Sequence, residues 1–160
     1  MWICRVGPYV GPVQRLLEFE IDAARYGVPV ERVVEVVPRV WLTPLPGAAD
    51  IVVGVFNYRG AVIVAVDLRS RLGHPPRRPC ADDHLLVVQG ARRVLALVVD
   101  RVRDLRRVTR EQVQATTVPS RHIRGVVALA DELLLIEDLD ALLSLDEEDT
   151  LDRALGGAAP

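Results

Sequence analysis

Short apolar runs separated by turn residues recur through most of this chain, and they restrict its fold more than any other feature. Residues 51–56 and 61–66 are two such runs, with turn residues 57–60 between them, and residues 84–88 and 94–99 repeat the arrangement. Runs of this length that are rich in valine are typical of buried β-strands. About nine or ten of them, with turn signals roughly every 8–12 residues, predict a mainly β protein, either a sandwich or small barrels.

The region before residue 51 combines a strand pattern with a helical one. Leu17, Phe19 and Ile21 alternate with glutamates, which predicts a half-buried strand, and residues 25–28 follow a short turn as its hairpin partner. Within residues 30–37, the valines Val30, Val33, Val34 and Val37 are instead spaced at i, i+3, i+4 and i+7. This spacing predicts one or two helical turns.

The two ends of the chain differ from its centre. Residues 1–13 carry Gly and Pro with little periodicity, and we expect an irregular lead-in before a domain at residues 14–146. Asp138 can cap a C-terminal helix whose apolar face holds Leu139, Leu142 and Leu143. Residues 147–160 are acidic and then small, which predicts a weakly ordered tail.

Composition excludes several classes of protein. Aromatic residues make up 4% of the 160 residues, so the core must be aliphatic, and the formal net charge of -2 favours neither nucleic acid nor an anionic membrane as a partner. Cys4 and Cys80 are too few to frame a disulfide scaffold. We find neither a signal peptide nor a long uncharged apolar segment, and we expect a cytoplasmic protein without membrane insertion.

A search for reactive constellations finds no catalytic site, metal site or cofactor motif. His74, Cys80 and His84 lie close in sequence, but their spacing matches no common zinc pattern. Ser120 and His122 lack the glycine pattern of a nucleophile elbow. We therefore expect a protein that is not an enzyme and works through its surface.

An arginine cluster at residues 92–110 supports an alternative function, a small-barrel protein that binds nucleic acid. Arginines at this density could follow a phosphate backbone. However, residues 91–112 contain no aromatic side chain on which bases could stack, and Asp100 and Asp104 interrupt the cluster. A solvated strand face explains the pattern better.

The segment at residues 53–69 carries a recognisable motif. The segment contains Gly54, Asn57, Arg59 and Gly60 in and before a turn. An apolar run follows and ends in Asp-Leu-Arg at residues 67–69. The segment closely resembles the signature of the CheW family of chemotaxis coupling proteins. In that signature a G-V-x-N-hydrophobic-R-G turn precedes an apolar strand that ends in D-L-R. Tyr58 stands where the signature usually has leucine.

Other segments resemble the same family in the same order. The resemblance covers about residues 15–145, and six ordered segments make a chance match implausible. Beside the turn motif, the matching segments are residues 26–28, 33–36, 90–105, 108–112, 123–126 and 134–143.

The resemblance implies a fold and a function. The fold is mainly β: two intertwined five-stranded SH3-like barrels with short helices and a C-terminal helix. The function is a non-catalytic adaptor that needs no cofactor. It binds the cytoplasmic hairpin tip of a chemoreceptor through a groove between the barrels, and the regulatory domain of a chemotaxis-type histidine kinase through one barrel. We expect a monomer in isolation.

The resemblance also implies which residues form the coupling surface. Glu35 and Arg59 should form a salt bridge or share hydrogen bonds, beside Asn57 in the turn. An apolar groove should contain Val33, Val36, Gly54, Val55 and Val99, with Gly54 small enough to let a partner's backbone approach.

Overall fold

The computed structural model describes residues 13–114, 122–130 and 132–158. Eleven strands, three 3-10 turns and one α-helix occupy these residues. The strands are β1 (Val13–Ile21), β2 (Ala24–Pro29), β3 (Val33–Pro38), β4 (Val52–Tyr58), β5 (Ala61–Val66), β6 (His84–Gln89), β7 (Val94–Val99), β8 (Arg101–Thr109), β9 (Val113–Gln114), β10 (Ile123–Ala128) and β11 (Leu133–Glu137); the 3-10 turns are Val30–Arg32, Arg110–Gln112 and Leu139–Ala141, and the helix is α1 (Leu145–Ala158). No helix among these residues is long and apolar enough to cross a membrane.

The strands form two sheets that the chain builds in an interleaved order. The first sheet has the order β8-β1-β2-β11-β10-β9, and the second has the order β3-β6-β7-β5-β4. The chain makes two strands of the first sheet, completes the second sheet, and then returns to finish the first. The predicted fold of two intertwined β subdomains is confirmed. The first sheet has six strands rather than five because the two-residue strand β9 adds to its edge.

The central strands of the second sheet are apolar on both faces. Leu85 and Val87 of β6 pack inside the second sheet, whereas Leu86 and Val88 face the other way into a larger core. Strands β5 and β7 alternate in the same manner. The larger core, called the inter-sheet core below, also contains Phe19 of the first sheet, and a third cluster fills the interior of the first sheet. The continuous valine and leucine runs are the signature of strands covered on both sides.

A buried arginine connects the two sheets at one end. Arg69, which follows β5, is only 6% exposed. Its guanidinium contacts Asp22 at 2.6 Å in the β1–β2 turn and also binds Asp100, between β7 and β8. A buried guanidinium requires such paired acceptors, because an unpaired buried charge is strongly unfavourable.

Residues 33–37 form strand β3, so the helical prediction for them is wrong. The 3-10 turn ends at Arg32, and β3 pairs with β6 so that Val36 lies opposite Leu86. β-Branched valines lose side-chain freedom in a helix and fit a half-buried strand, and a partner strand was available here. The register shifts between Val33 and Glu35, and this shift obscured the strand alternation in the sequence.

The C-terminal helix also lies elsewhere than predicted. Asp138 does accept a hydrogen bond from Asp140 N at 3.1 Å, but it caps only the short turn Leu139–Ala141. Helix α1 follows, so the prediction of a weakly ordered tail is wrong for residues 147–158. Leu151 is fully buried against the inter-sheet core, and Glu148 pairs with Arg93 at 2.9 Å.

Truncating the buried helix residue should destabilise the whole domain. We expect Leu151→Ala to lower the free energy of unfolding by about 2–5 kcal/mol, because it leaves a cavity against the core. Leu145→Ala is the matched control, since Leu145 is 71% exposed, and it should change stability by less than about 0.5 kcal/mol. Urea unfolding measures both values. Equal effects of the two variants would mean that the helix does not contribute to the core.

One buried carboxyl group makes no hydrogen bond with the residues that the structure describes. Glu137 at the end of β11 is 1% exposed, and neither of its oxygens has a hydrogen-bond partner in the described part of the chain. Burial, with a smaller contribution from Asp138, raises the pKa of Glu137 from 4.5 to about 8. The folded protein therefore holds this carboxyl protonated at neutral pH.

The buried carboxyl should make stability fall with rising pH. The folded state binds a proton that the unfolded state releases, so the free energy of unfolding decreases as pH rises from 4.5 to about 8. Relative to wild type, Glu137→Gln should gain about 1.4 kcal/mol for each pH unit in this window. Urea unfolding at several pH values tests this, with the exposed position changed in Glu31→Gln as the control. A difference between wild type and Glu137→Gln that is independent of pH would contradict it.

Candidate functional site

A strained two-residue turn presents the motif arginine. Arg59 and Gly60 connect β4 to β5, and both have positive φ angles, 50° and 87°. Glycine adopts this geometry freely, whereas for arginine it costs of the order of 1–2 kcal/mol. The Asn57 side chain accepts a hydrogen bond from Gly60 N at 2.8 Å, which stabilises the turn. The predicted participation of Asn57 and Gly60 in the turn is confirmed.

Three side chains form a polar cluster at this turn. Arg59 Nη2 lies 2.9 Å from Glu35 Oε2, and the Tyr58 hydroxyl donates a hydrogen bond to the same carboxylate oxygen. The Arg59 guanidinium carbon is 5.2 Å from the centroid of the Tyr58 ring. We call these residues the Glu35–Arg59 cluster. The predicted salt bridge is confirmed.

The cluster connects the two edges of the second sheet. Glu35 lies on β3 and Tyr58 on β4, and these strands are the outermost members of that sheet. The Arg59 side chain remains 74% exposed and that of Glu35 36% exposed. Exposed ion pairs contribute only about 0–1 kcal/mol to stability. The main effect of the cluster is therefore to hold a charged guanidinium in a fixed place on the surface.

Tyr58 is electrostatically coupled to this ion pair. Its hydrogen bond to Glu35 is the main cause that raises the pKa of the Tyr58 phenol, and Arg59 opposes the rise. The carboxylate favours the neutral phenol because ionisation would remove the donated proton and place two negative charges together.

Three of the predicted groove valines keep exposed surface. Val33, Val36 and Val55 are partly buried and pack against the inter-sheet core. They are therefore close to the boundary between the two sheets. Whether a partner occupies that boundary stays a prediction.

The other two predicted groove residues are enclosed. Val99 is 0% exposed and fills the inter-sheet core, so its assignment to a contact surface is wrong. Gly54 is buried beneath the protein's own chain: a Cβ there would lie 2.6 Å from the carbonyl oxygen of Thr43. Thr43 pairs with Val55 through two 2.8 Å hydrogen bonds. The backbone that requires a glycine is thus that of the segment containing Thr43, and not a partner's backbone.

Sequence analysis missed a conspicuous exposed aromatic residue. Trp41, two residues before Thr43, is 86% exposed, and its neighbour Val40 is 43% exposed. Val62 on β5 is 63% exposed. A tryptophan in a chain with 4% aromatic residues was an available signal. Exposed tryptophan is unfavourable in water and is enriched at the energetic centres of protein interfaces.

Within the described part of the chain, the residues considered for metal binding do not assemble into a site. His74 Nε2 lies 2.5 Å from the Tyr26 hydroxyl, and Cys80 is exposed. Across residues 13–114, 122–130 and 132–158 no three His, Cys, Asp or Glu side chains are placed to hold a metal ion. Ser120 lies outside the described residues.

Much of the arginine cluster at residues 92–110 is neutralised within the protein. Arg93 pairs with Glu148 and Asp152 of helix α1, and Arg92 pairs with Asp149. On β8, Arg103 pairs with Glu20 at 2.5 Å, and Arg106 pairs with Glu18. These internal partners weaken the nucleic-acid alternative, because each occupied guanidinium would have to leave a carboxylate to bind phosphate.

Two interleaved β-sheets define the architecture of this chain, and comparison with known proteins shows its family. The CheW-like domain family matches residues 15–147. The probable chemotaxis protein CheW of Rhizobium etli is 34% identical over 85% of this chain and 91% of its own length. The chemotaxis protein CheW of Klebsiella aerogenes is 28% identical over 88% and 87%. This chain therefore belongs to the CheW-like family.

A solved structure supports the fold independently. The scaffolding protein TtCheW from Thermoanaerobacter tengcongensis has a TM-score of 0.76, at 23% identity over 84% of this chain and 94% of that chain.

Removing the shared carboxylate should lower the pKa of one tyrosine selectively. In Glu35→Gln we expect the pKa of Tyr58 to fall towards its ordinary value of 10, because the main cause of its rise is gone. Tyr26, whose pKa burial raises to about 12, is the internal control and should not respond. NMR titration of ¹³Cζ-labelled tyrosine separates the two rings. An unchanged Tyr58 pKa would show that the hydrogen bond is absent in solution.

Proposed function

We propose that this protein is a non-catalytic cytoplasmic adaptor that couples chemoreceptors to a chemotaxis-type histidine kinase. The observation that carries the proposal is the Glu35–Arg59 cluster. Arg59 adopts an unfavourable backbone conformation, and the Glu35 carboxylate on another strand orients its guanidinium group. This arrangement adds little to stability, so its advantage lies in recognition.

The coupling surface has a charged part and an apolar part. Arg59 supplies a forked donor in the β4–β5 turn, and the partly exposed valines Val33, Val36 and Val55 supply apolar surface at the boundary between the two sheets. A helical hairpin tip would lay its apolar side chains against the valines and place a carboxylate or backbone carbonyl at the guanidinium. We include Trp41 in the proposed surface because it is exposed and Thr43 from the same segment pairs with Val55 on β4.

A second face would bind the regulatory domain of the kinase. We place it on the outer strands of the first sheet, where Leu105 of β8 is 59% exposed and Val13 of β1 is 42% exposed. Both side chains lie on the same face of paired strands, and Arg15 and Arg107 lie between them, so this face combines apolar and basic groups. Two separate faces on one rigid body allow receptor and kinase to be held together without competing for the same residues.

Reversing the displayed charge should abolish coupling without unfolding the protein. Arg59→Glu should change the free energy of unfolding by no more than about 1 kcal/mol, because the pair is exposed. It should weaken binding to a receptor hairpin tip by about tenfold or more. Calorimetric titration measures the binding, and Arg153→Glu, at an exposed position on helix α1, is the matched control.

A charge swap distinguishes a direct contact between Arg59 and the partner from a role of the ion pair in supporting the turn. The double variant Glu35→Arg with Arg59→Glu restores an ion pair of opposite orientation. If Arg59 acts by contacting the partner, the swap stays defective in binding. Recovery of coupling in the swap would show instead that the pair only supports the turn, and the proposal for Arg59 would be wrong.

The isolated protein should be a monomer that enters stable assemblies only with both partners present. Interfaces near 1,200 Å² are at the small end of specific complexes, so each contact alone should have an affinity of roughly micromolar order. Light scattering after size exclusion checks the monomer, and adding each partner alone and then both checks the assembly. A tight homodimer that covers Arg59 would contradict the scheme.

A further inference from the structure

Tyr58 contacts both members of the ion pair in the Glu35–Arg59 cluster. Its hydroxyl donates a hydrogen bond to Glu35 Oε2, the same oxygen that lies 2.9 Å from Arg59 Nη2. The Arg59 guanidinium also lies over the Tyr58 ring, with its carbon 5.2 Å from the ring centroid, where a cation is attracted to the aromatic face. One side chain therefore restrains the guanidinium twice, directly through the ring and indirectly through the shared carboxylate.

The interior of the second sheet holds the Tyr58 ring in place. Phe56 and Tyr58 are two residues apart on β4, so both side chains lie on the same face of the strand. The two rings meet edge to face, with their centroids 6.5 Å apart and their planes at 69°. Phe56 is a buried member of the second-sheet cluster, and Tyr58 packs against that cluster. Tyr58 therefore connects a fixed apolar interior to a charged group on the surface.

The Arg59 side chain would be loosely held without Tyr58. It is 74% exposed, and Glu35 is its only ion-pair partner among the residues that the structure describes. A single exposed ion pair is a weak restraint on a long side chain that has many rotamers. A partner that binds a mobile guanidinium must order it, and this ordering lowers the affinity.

We infer that Tyr58 is a positioning residue, which orders the Arg59 guanidinium in the free protein so that a partner binds it with a smaller loss of entropy. Because the proposed function assigns Arg59 to the receptor contact, this role of Tyr58 rests on it. The ring covers one face of the guanidinium, so the partner has to supply a hydrogen-bond acceptor in the guanidinium plane rather than an aromatic ring on that face.

The hydroxyl of Tyr58 keeps its proton under ordinary conditions. Its hydrogen bond to Glu35 raises the pKa of the phenol, so the donor is retained at neutral pH. The restraint through Glu35 is therefore present before any partner arrives.

NMR relaxation of the Arg59 Nε–H group tests the ordering on the intact chain without any partner. Tyr58→Phe removes the hydroxyl and keeps the ring, whereas Tyr58→Leu removes both. We expect the guanidinium to become more mobile on the picosecond-to-nanosecond scale in Tyr58→Phe, and more so in Tyr58→Leu. Tyr26→Phe is the matched control, because it removes a hydroxyl that contacts His74 from the first sheet, and it should leave the mobility of Arg59 unchanged.

Calorimetric titration with a chemoreceptor hairpin-tip fragment tests the consequence for binding. Tyr58→Phe should weaken binding by about fivefold, the size of effect expected from the ordering of one long side chain. In an Arg59→Gln background the same change should alter the affinity by less than about twofold, because no guanidinium is left to order. A purely structural role of Tyr58 would not depend on Arg59 in this way. The melting temperature of Tyr58→Phe should stay within about 3 °C of wild type.

Four results would overturn this role, and they can be told apart from a failure of the proposed function. Unchanged mobility of Arg59 in both Tyr58 variants would show that Tyr58 does not order it, whether or not the receptor fragment binds. Raised mobility with unchanged affinity would separate the ordering from recognition, and the proposed function would stand if Arg59→Glu still weakens binding. Equal losses with and without the Arg59 guanidinium would show that Tyr58 acts independently of Arg59. A fragment that binds Arg59→Glu as tightly as wild type would contradict the proposed function itself, and the recognition role of Tyr58 would be lost with it.

Discussion

The inter-sheet core is the constraint on which the rest of the structure depends. Strands β5, β6 and β7 must be apolar on both faces, because one face fills the second sheet and the other packs against the first sheet and helix α1. Neither sheet can bury its apolar surface alone. The interleaved chain order reinforces this dependence, because the first sheet is completed only after the second has been built. The turn that carries Arg59 connects β4 and β5, and both strands pack against this shared core.

The sequence analysis succeeded where one physical signal dominated. The strands at residues 51–66 and 84–99 were predictable because their runs are apolar on both faces and end in clear turn residues. Residues 33–37 were wrongly predicted to be helical because a register shift breaks the strand alternation and leaves valines at helical spacing. Helix α1 was missed because its acidic residues resemble a solvated tail. Their partners, Arg71 and Arg93, are distant in sequence, so the pairing follows only from the tertiary fold.

The candidate site was predictable to the extent that it lies in the turn motif. Asn57, Arg59 and Glu35 came from the resemblance, and the structure brings them together. The hydroxyl that Tyr58 contributes depends on a substitution of the usual leucine, and only the geometry shows that it reaches Glu35. Val99 was misassigned because a valine on a central strand and a valine beside a groove look alike in sequence.

Gly54 shows how a buried residue can control a surface that it does not touch. Any side chain at this position would collide with the Thr43 carbonyl and displace the segment that also carries the exposed Trp41. A substitution at Gly54 would therefore change the surface around Trp41 although Gly54 itself is buried. In this chain the glycine fixes the path of a loop, and the exposure of the tryptophan follows from that path.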